Sequence, residues 1–282
     1  MNKFNLQLGK KNIRTFFAIP QSSQYQTINQ LIVKPKSKII RDEIWRNPIV
    51  FTDKKTNISF HQQPKIVKQK IKPIWTIQNY SPQLIKKYSY LLKPNRFING
   101  QDLRIIKIVN DLKIISKNKK SLLIIIQAFY DHILSNLTYG KPIDGLYSYD
   151  QVLNEKVTDC GGFSSLLLSL LQSIKIPARL VVGFLIKHNS IFQNTLSMLH
   201  VSRYTFCDLL IHVWVEVLLP DKIWFPLDPA IEWRRSRGLT KRQGGFGIIP
   251  ADRLVVSYGQ DFKISRPDKI ITVDLLQKPV NY

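Results

Sequence analysis

Cysteine is scarce in this chain, which has only two, Cys160 and Cys207, among 282 residues. Small secreted domains held together by disulfides need several cysteine pairs, so the sequence excludes a disulfide framework. Zinc ligands are missing as well, because there is no C-x-x-C pair and the histidines at 188, 200 and 212 do not have zinc-ligand spacing. The sequence therefore predicts neither a metal site nor a cofactor.

Long apolar runs are also missing. The runs at 122–126 and 166–171 are far shorter than the roughly 20 residues that cross a bilayer as a helix, so no membrane span is predicted. The chain does not start with a cationic segment followed by the apolar stretch of a signal peptide. From these two features we expect a cytoplasmic protein.

Acidic residues are few, with 19 Asp and Glu against 42 Lys and Arg, and the formal net charge is +23. The surplus is uneven, because residues 1–140 carry 25 basic and 6 acidic residues, whereas residues 141–282 carry 17 and 13. One interpretation is a polyanion or an acidic partner bound by the basic N-terminal half. The other is a Lys-rich coding bias on solvated surface, since no nucleic-acid-binding motif accompanies the charge.

The chain divides into two predicted domains. Short apolar or alternating runs separated by Pro, Asn and Asp indicate a small β-rich domain with its linker over 1–95. The remainder, 96–282, begins with two stretches at helical spacing, 105–115 and 121–137, and a further short helix is expected over 148–155. The fold class expected from this order is α+β.

A cysteine opens the most apolar predicted helix. Residues 160–174 carry leucines around most of the helix circumference, which indicates a buried helix with Cys160 at its N-terminus. Unpaired N–H groups and the helix dipole there favour a thiolate, so we expect a lowered thiol pKa and an oxyanion site. Gly161 and Gly162 are expected to let a substrate backbone approach. Asp159 is expected to cap the helix, with repulsion of the thiolate as the alternative.

A histidine and an aspartate follow on a predicted hairpin. In 211–219 the valines alternate with His212, Trp214 and Glu216, so the valines are expected to face the core and the other three the site. A turn at 220–222 leads to a second strand that ends at Asp228, close enough to orient the imidazole of His212. Trp214 is predicted to border the acyl-enzyme site, with simple packing as the alternative. Glu216 is expected either to pair with a basic group or to line the cleft, and not to be catalytic.

These segments resemble the catalytic core of the transglutaminase-like superfamily. The resemblance rests on Cys160 opening a helix, on an Ile-Pro-Ala-Arg step at 176–179, on His-x-Trp-x-Glu at 212–216 and on Trp-x-x-x-Asp-Pro at 224–229. It implies a papain-like α+β fold preceded by a β-rich domain, with Cys160, His212 and Asp228 as a catalytic triad. Lys175, Ala230 and Gln260 stand where the family usually has other residues.

The resemblance also implies a chemistry, in which Cys160 attacks a peptide or glutamine-type amide and forms a thioester. Hydrolysis of that thioester is favoured, because no calcium-type acidic cluster is recognisable and because Lys175 and Arg179 would repel a lysine ammonium. Transfer to a lysine amine, as in a cross-linking transglutaminase, is the alternative. A non-catalytic binding module that uses the basic N-terminal half is the third interpretation. In the first two the partner is a peptide or protein substrate.

Overall fold

The computed structural model describes residues 1–112, 121–186, 202–205, 209–265 and 269–282, with the backbone alone for 202–204. Helix accounts for 26% and strand for 36%, so the predicted α+β class is confirmed. Contacts group the chain into a first unit, Met1–Val67, Val182–His212 and Pro250–Tyr282, and a second unit, Lys68–Val181 and Val213–Ile249. The predicted domain boundary after residue 95 stays a prediction. Cys207 lies outside the described residues.

The first unit is built from strands, because its sequence alternates between apolar and polar residues. In β1 every second side chain from Phe4 to Leu8 is buried, and Phe4 stacks on Phe60 with ring centroids 4.8 Å apart. The strands of its N-terminal segment are β1 (Asn2–Leu8), β2 (Thr15–Ala18), β3 (Gln26–Lys34), β4 (Lys38–Arg41), β5 (Pro48–Thr52) and β6 (Thr56–Pro64). β7 (Val67–Lys68) follows at the unit boundary.

Later parts of the chain complete the first unit. They supply β11 (Ser202–Tyr204), which pairs parallel with β1, and β18 (Val280–Asn281), which pairs antiparallel with β2. Two sheets result, with strand orders β11-β1-β6-β3 and β18-β2-β5-β4. β15 (Arg253–Tyr258), β16 (Phe262–Ser265) and β17 (Ile270–Val273) lie in the same unit. Buried amides connect the segments, since Gln26 Nε2 donates to the Val255 carbonyl at 2.8 Å and Gln62 Nε2 to the Arg253 carbonyl at 2.6 Å.

The second unit holds the helices. Those before the cysteine are α1 (Pro82–Lys87), α2 (Leu103–Asp111), α3 (Leu122–Asn136) and α4 (Tyr149–Glu155), with 3₁₀ turns at Ile77–Asn79 and Ser89–Leu92. They are followed by α5 (Cys160–Ser173) and α6 (Pro229–Ser236). Short strands lie between them or next to them: β8 (Thr138–Tyr139), β9 (Val157–Thr158), β13 (Trp224–Leu227) and β14 (Ile248–Ile249). Within the described part of the chain, no helix is long and apolar enough to cross a membrane.

Helix α5 is the core of the second unit. Its residues from Cys160 to Gln172 are all buried, which confirms the prediction from its leucine pattern. A helix buried on all sides must satisfy its own polar groups. Its serines do so by donating to backbone carbonyls, as Ser164 Oγ does to Cys160 at 2.8 Å and Ser169 Oγ to Ser165 at 2.9 Å.

The predicted hairpin is present. Strand β12 (Leu209–Leu218) pairs antiparallel with β13, with Val215 opposite Leu227 and Leu218 opposite Trp224. β12 and β10 (Ala178–Ile186) each run from one unit into the other. The alternation in β12 does not separate a core face from an exposed face as expected, because every residue from His212 to Leu218 is buried. Both faces of this strand are therefore interior.

Candidate active site

The cysteine begins α5, and Asp159 caps that helix. The Asp159 carboxylate accepts hydrogen bonds from the N–H groups of Gly161 at 2.8 Å and Gly162 at 3.3 Å, and from the N–H of Ile143 at 3.3 Å. The capping interpretation is confirmed. The N–H groups of Gly161 and Gly162 therefore already have an anionic partner and are not available for an oxyanion. The expected oxyanion site is wrong for these two donors.

The Cys160 thiol is held in its neutral form. It is 7% exposed, and burial raises its pKa to about 12, with the Asp159 carboxylate adding to the effect and Asp228 contributing less. Backbone N–H groups of Val213 and of Cys160 itself oppose the shift through hydrogen bonds to the sulfur. The lowered pKa expected from the helix N-terminus is therefore wrong. Desolvation of the thiolate and a capping carboxylate outweigh the helix dipole.

Gly161 and Gly162 serve packing inside the unit. A Cβ atom on Gly162 would lie 1.8 Å from Thr158 Oγ1 and 2.7 Å from Val152 Cγ2. A Cβ atom on Gly161 would lie 2.9 Å from Leu146 Cδ1. The two glycines are needed because neighbouring side chains approach the start of α5, which corrects the expectation that they make room for a substrate backbone.

Asp228 connects β13 to α6 and has no exposed surface. Its side chain caps α6 by accepting from the N–H of Ile231 at 3.2 Å, and its own N–H donates to the Gly245 carbonyl at 3.1 Å. Its charge acts on Cys160, since it raises the pKa of that thiol. Cys160 and Asp228, both in the second unit, are thus electrostatically coupled.

His212 is the last residue of its segment in the first unit, and it is bonded to Val213, the first of its segment in the second. The histidine is 3% exposed, and its carbonyl accepts from Gln277 Nε2 at 3.1 Å. The Val213 N–H, one bond from the His212 carbonyl carbon, donates to the Cys160 sulfur. The catalytic triad of Cys160, His212 and Asp228 stays a prediction.

Three family motifs meet at one ion pair. Arg179 Nε donates to Glu216 Oε2 at 2.6 Å, and the Glu216 side chain has no exposed surface. The guanidinium carbon of Arg179 lies 3.9 Å from the centre of the Trp224 ring. The expectation that Glu216 pairs with a basic group is confirmed. Arg179 is neutralised and stacked, so it no longer supports the argument that it repels a lysine amine.

Trp214 is fully buried, and a ring without exposed surface is suited to packing. The alternative, that it borders an acyl-enzyme site, stays a prediction. Among the residues that the structure describes, no group of three or more His, Cys, Asp and Glu side chains is arranged to hold a metal ion.

Tyr139 is a neighbour of the cysteine that the sequence argument did not single out. Strand β8 pairs parallel with β9 so that Tyr139 lies opposite Thr158, two residues before Cys160. The pKa of Tyr139 is raised by burial and then by the acidic groups of Cys160, Asp159 and Asp228, while Arg234 acts in the opposite direction. Its place next to the cysteine comes from strand register, which periodicity within either segment does not show.

Comparisons with known proteins identify a family and similar folds. Residues 112–229 match the family model of the transglutaminase-like superfamily. The chain resembles the solved structure of a candidate cysteine protease from Cytophaga hutchinsonii with a TM-score of 0.52 and 16% identity, over 91% of this chain and 79% of that one. No curated protein matches.

More distant likenesses are to the periplasmic domain of TgpA from Pseudomonas aeruginosa. One structure has a TM-score of 0.41 and 14% identity over 82% of this chain and 74% of that one. The other, bound to ethylmercury, has a TM-score of 0.40 and 12% identity over 83% and 89%. The predicted resemblance and the papain-like α+β core are confirmed. The family match supports a cysteine hydrolase or acyltransferase, and hence an enzyme.

Proposed function

Starting from the transglutaminase-like core of residues 112–229, we propose that this protein cleaves peptide or glutamine-type amides through a thioester on Cys160. The observation that carries the proposal is the environment of the sulfur. It lies at the start of a buried helix, accepts a hydrogen bond from the Val213 N–H, and is coupled to the Asp228 carboxylate. Nucleophilic catalysis requires a base within reach of the nucleophile, and His212, the residue next to Val213, is proposed as that base.

In the proposed reaction the Cys160 proton moves to His212 as the sulfur attacks the carbonyl carbon. The C–N bond then breaks, His212 returns the proton to the leaving amine, and a thioester remains. Water attacks the thioester, and His212 accepts a proton from that water. The C–S bond then breaks, His212 returns the proton to the Cys160 sulfur, and the acid is released. Asp228 holds the imidazole in the required tautomer and stabilises its protonated form.

The Val213 N–H is the candidate oxyanion donor in place of the helix N–H groups. It already donates to the sulfur, so it lies close to where the carbonyl oxygen of a bound acyl group would be. The helix donors of Gly161 and Gly162 are occupied by Asp159. The proposed donor therefore belongs to strand β12, whereas the sequence-based expectation placed the donors at the start of helix α5.

Hydrolysis is proposed over transfer to an amine because more cations than acids follow the site: α6 carries one acid, Glu232, which lies 3.8 Å from Arg235. Helix α6, which begins after Asp228, ends in Arg234 and Arg235, and Arg237 comes next. A lysine side chain approaches as an ammonium and is repelled by this charge. Repulsion by these arginines takes the place of the repulsion that was expected from Arg179.

The test is digestion of a mixed peptide library and of a glutamine-rich protein, each with and without a labelled primary amine. Hydrolysis predicts new peptide ends or converted glutamines, and Cys160→Ala abolishes them. Stable incorporation of the amine that depends on Cys160 would instead establish a transglutaminase. Unchanged substrates with wild-type protein and with Cys160→Ala would favour the binding module.

A further inference from the structure

The end of helix α6 carries more positive charge than is needed to balance the helix dipole. Arg234, Arg235 and Arg237 occur within four residues, and Lys241 and Arg242 follow. Arg235 is 3.8 Å from Glu232, whereas Arg234 and Arg237 have no carboxylate within salt-bridge distance among the described residues. One or two cations suffice to balance the dipole of a helix C-terminus.

Arg234 is the member of this group that contacts Tyr139, the tyrosine of the β8–β9 pair. Its guanidinium carbon lies 4.9 Å from the centre of the Tyr139 ring, and its side chain is half-buried. Tyr139 in turn lies opposite Thr158 in the β8–β9 pair, two residues before Cys160. The Tyr139 ring is also 6.2 Å from the ring of Phe163, one turn of α5 beyond the cysteine. Arg234 thus contacts a tyrosine whose neighbours, Thr158 and Phe163, lie on either side of the cysteine in the sequence.

The charges that act on the Tyr139 hydroxyl include Arg234 and the acidic groups of the candidate site. Its pKa responds to Arg234 and, with opposite sign, to Cys160, Asp159 and Asp228. One hydroxyl is thus within electrostatic reach of the arginine and of three acidic groups at the candidate site. All five residues belong to the second unit.

We propose that Arg234 binds a carboxylate of the substrate, so that the preferred amides are those with an acidic group near the scissile bond. A guanidinium that contacts an aromatic ring through its face keeps its edge N–H groups for bidentate binding of a carboxylate, and Arg234 lies 4.9 Å from the centre of such a ring. The inference rests on the proposed function, because it assigns the substrate class of the Cys160 site. The carboxylate comes from an Asp or Glu side chain or from a free peptide C-terminus.

The test compares alkylation of Cys160 by iodoacetate, which carries a carboxylate, with alkylation by neutral iodoacetamide, in a Cys207→Ser background. We expect the iodoacetate-to-iodoacetamide rate ratio to exceed that of free cysteine by about threefold, as one screened charge at several ångströms would give. Arg234→Gln should abolish the excess, and Arg234→Lys should retain part of it.

The matched control is Arg237→Gln. Arg237 also follows the end of α6 and also stacks on an aromatic ring, with its guanidinium carbon 4.0 Å from the centre of Trp233. Its removal should leave the ratio unchanged. A wild-type ratio no higher than that of free cysteine, or an equal loss in both variants, would overturn the proposal.

The ratio is measurable whatever the absolute rate of alkylation. A slow thiol counts against the proposed chemistry, whereas an unexceptional ratio counts against the carboxylate site, so the two failures are distinguishable. Peptide pairs that differ by Glu against Gln, or by a free against an amidated C-terminus, then identify the source of the carboxylate. Cleavage of all four at equal rates would also refute the assignment.

Discussion

The His212→Ala substitution gives the sharpest test of the proposed chemistry, because the structure makes Cys160 a poor nucleophile by itself. Its pKa of about 12 lies roughly 3.5 units above that of a free thiol. The thiolate population is lower by the same factor, about 3,000-fold. The nucleophilicity of each thiolate rises with pKa with a slope of about 0.4–0.5, which recovers about 40-fold.

Without a proton acceptor, Cys160 should therefore react about 100-fold more slowly than free cysteine at the same pH. In the wild-type protein the proposed transfer of its proton to His212 removes this penalty. We expect iodoacetamide to modify wild-type Cys160 at least about 100-fold faster at pH 6.5 than it modifies Cys160 in His212→Ala. Wild-type Cys160 should also react faster than Cys207.

The measurement is the rate of modification of the two cysteine-containing peptides by mass spectrometry between pH 5.5 and 9. Wild-type Cys160 should show a plateau in this range, and His212→Ala a rate that rises about tenfold per pH unit. His132→Ala, which removes a half-buried histidine of α3, is the control and should behave as wild type. A tenfold rise per unit in the wild-type protein, or equal rates with and without His212, would refute the triad.

Three further predictions concern charge. Asp159→Asn keeps a capping oxygen but removes the charge, so the pKa of Cys160 should fall and its alkylation in the His212→Ala background should accelerate several-fold. Asp159→Ala should have the same effect on alkylation and should also lower the unfolding free energy by about 1 kcal/mol, because it removes the cap. Glu216→Gln breaks a buried ion pair with Arg179 and should lower the unfolding free energy, measured in urea, by about 2–4 kcal/mol. The control Glu43→Gln, at an exposed position, should leave the unfolding free energy unchanged. Equal effects of the two substitutions would refute a structural role for the pair. If the basic N-terminal half binds a polyanion, the protein should be retained on heparin at 50 mM salt. It should elute at lower salt after neutralisation of three exposed lysines around the β3–β4 connection, Lys34, Lys36 and Lys38. No retention would mean that the positive charge reflects composition and not a binding site.

The sequence predicted those parts of the structure that depend on neighbouring residues. The buried helix from Cys160, the β12–β13 hairpin and the cap by Asp159 each follow from periodicity, turn residues or side-chain chemistry within a few positions. Pairing with a basic group was one of the two expectations for Glu216, and the structure shows that pair. Local rules suffice for these features because the physical cause lies within the segment.

The remainder depends on contacts between distant segments. The pairing of β18 with β2 makes the C-terminus part of the unit that the N-terminus begins, and no local pattern encodes it. The partner of Glu216 is 37 residues away in sequence. The raised pKa of Cys160 follows from burial, which is a property of the whole unit and outweighs the local helix dipole. Removal of residues 1–95 would accordingly leave strands of the first unit without partners.

The acidic groups around Cys160 have opposite effects on the two proposed partners of the proton transfer. Asp159 and Asp228 disfavour a thiolate, as the raised pKa of Cys160 records. The same charges favour a cation, so in the proposed triad they stabilise a protonated His212. The cost to the thiolate and the gain to the imidazolium largely cancel when the proton passes from one to the other. In the proposed mechanism the thiol therefore resists losing its proton to solvent but can pass it to His212.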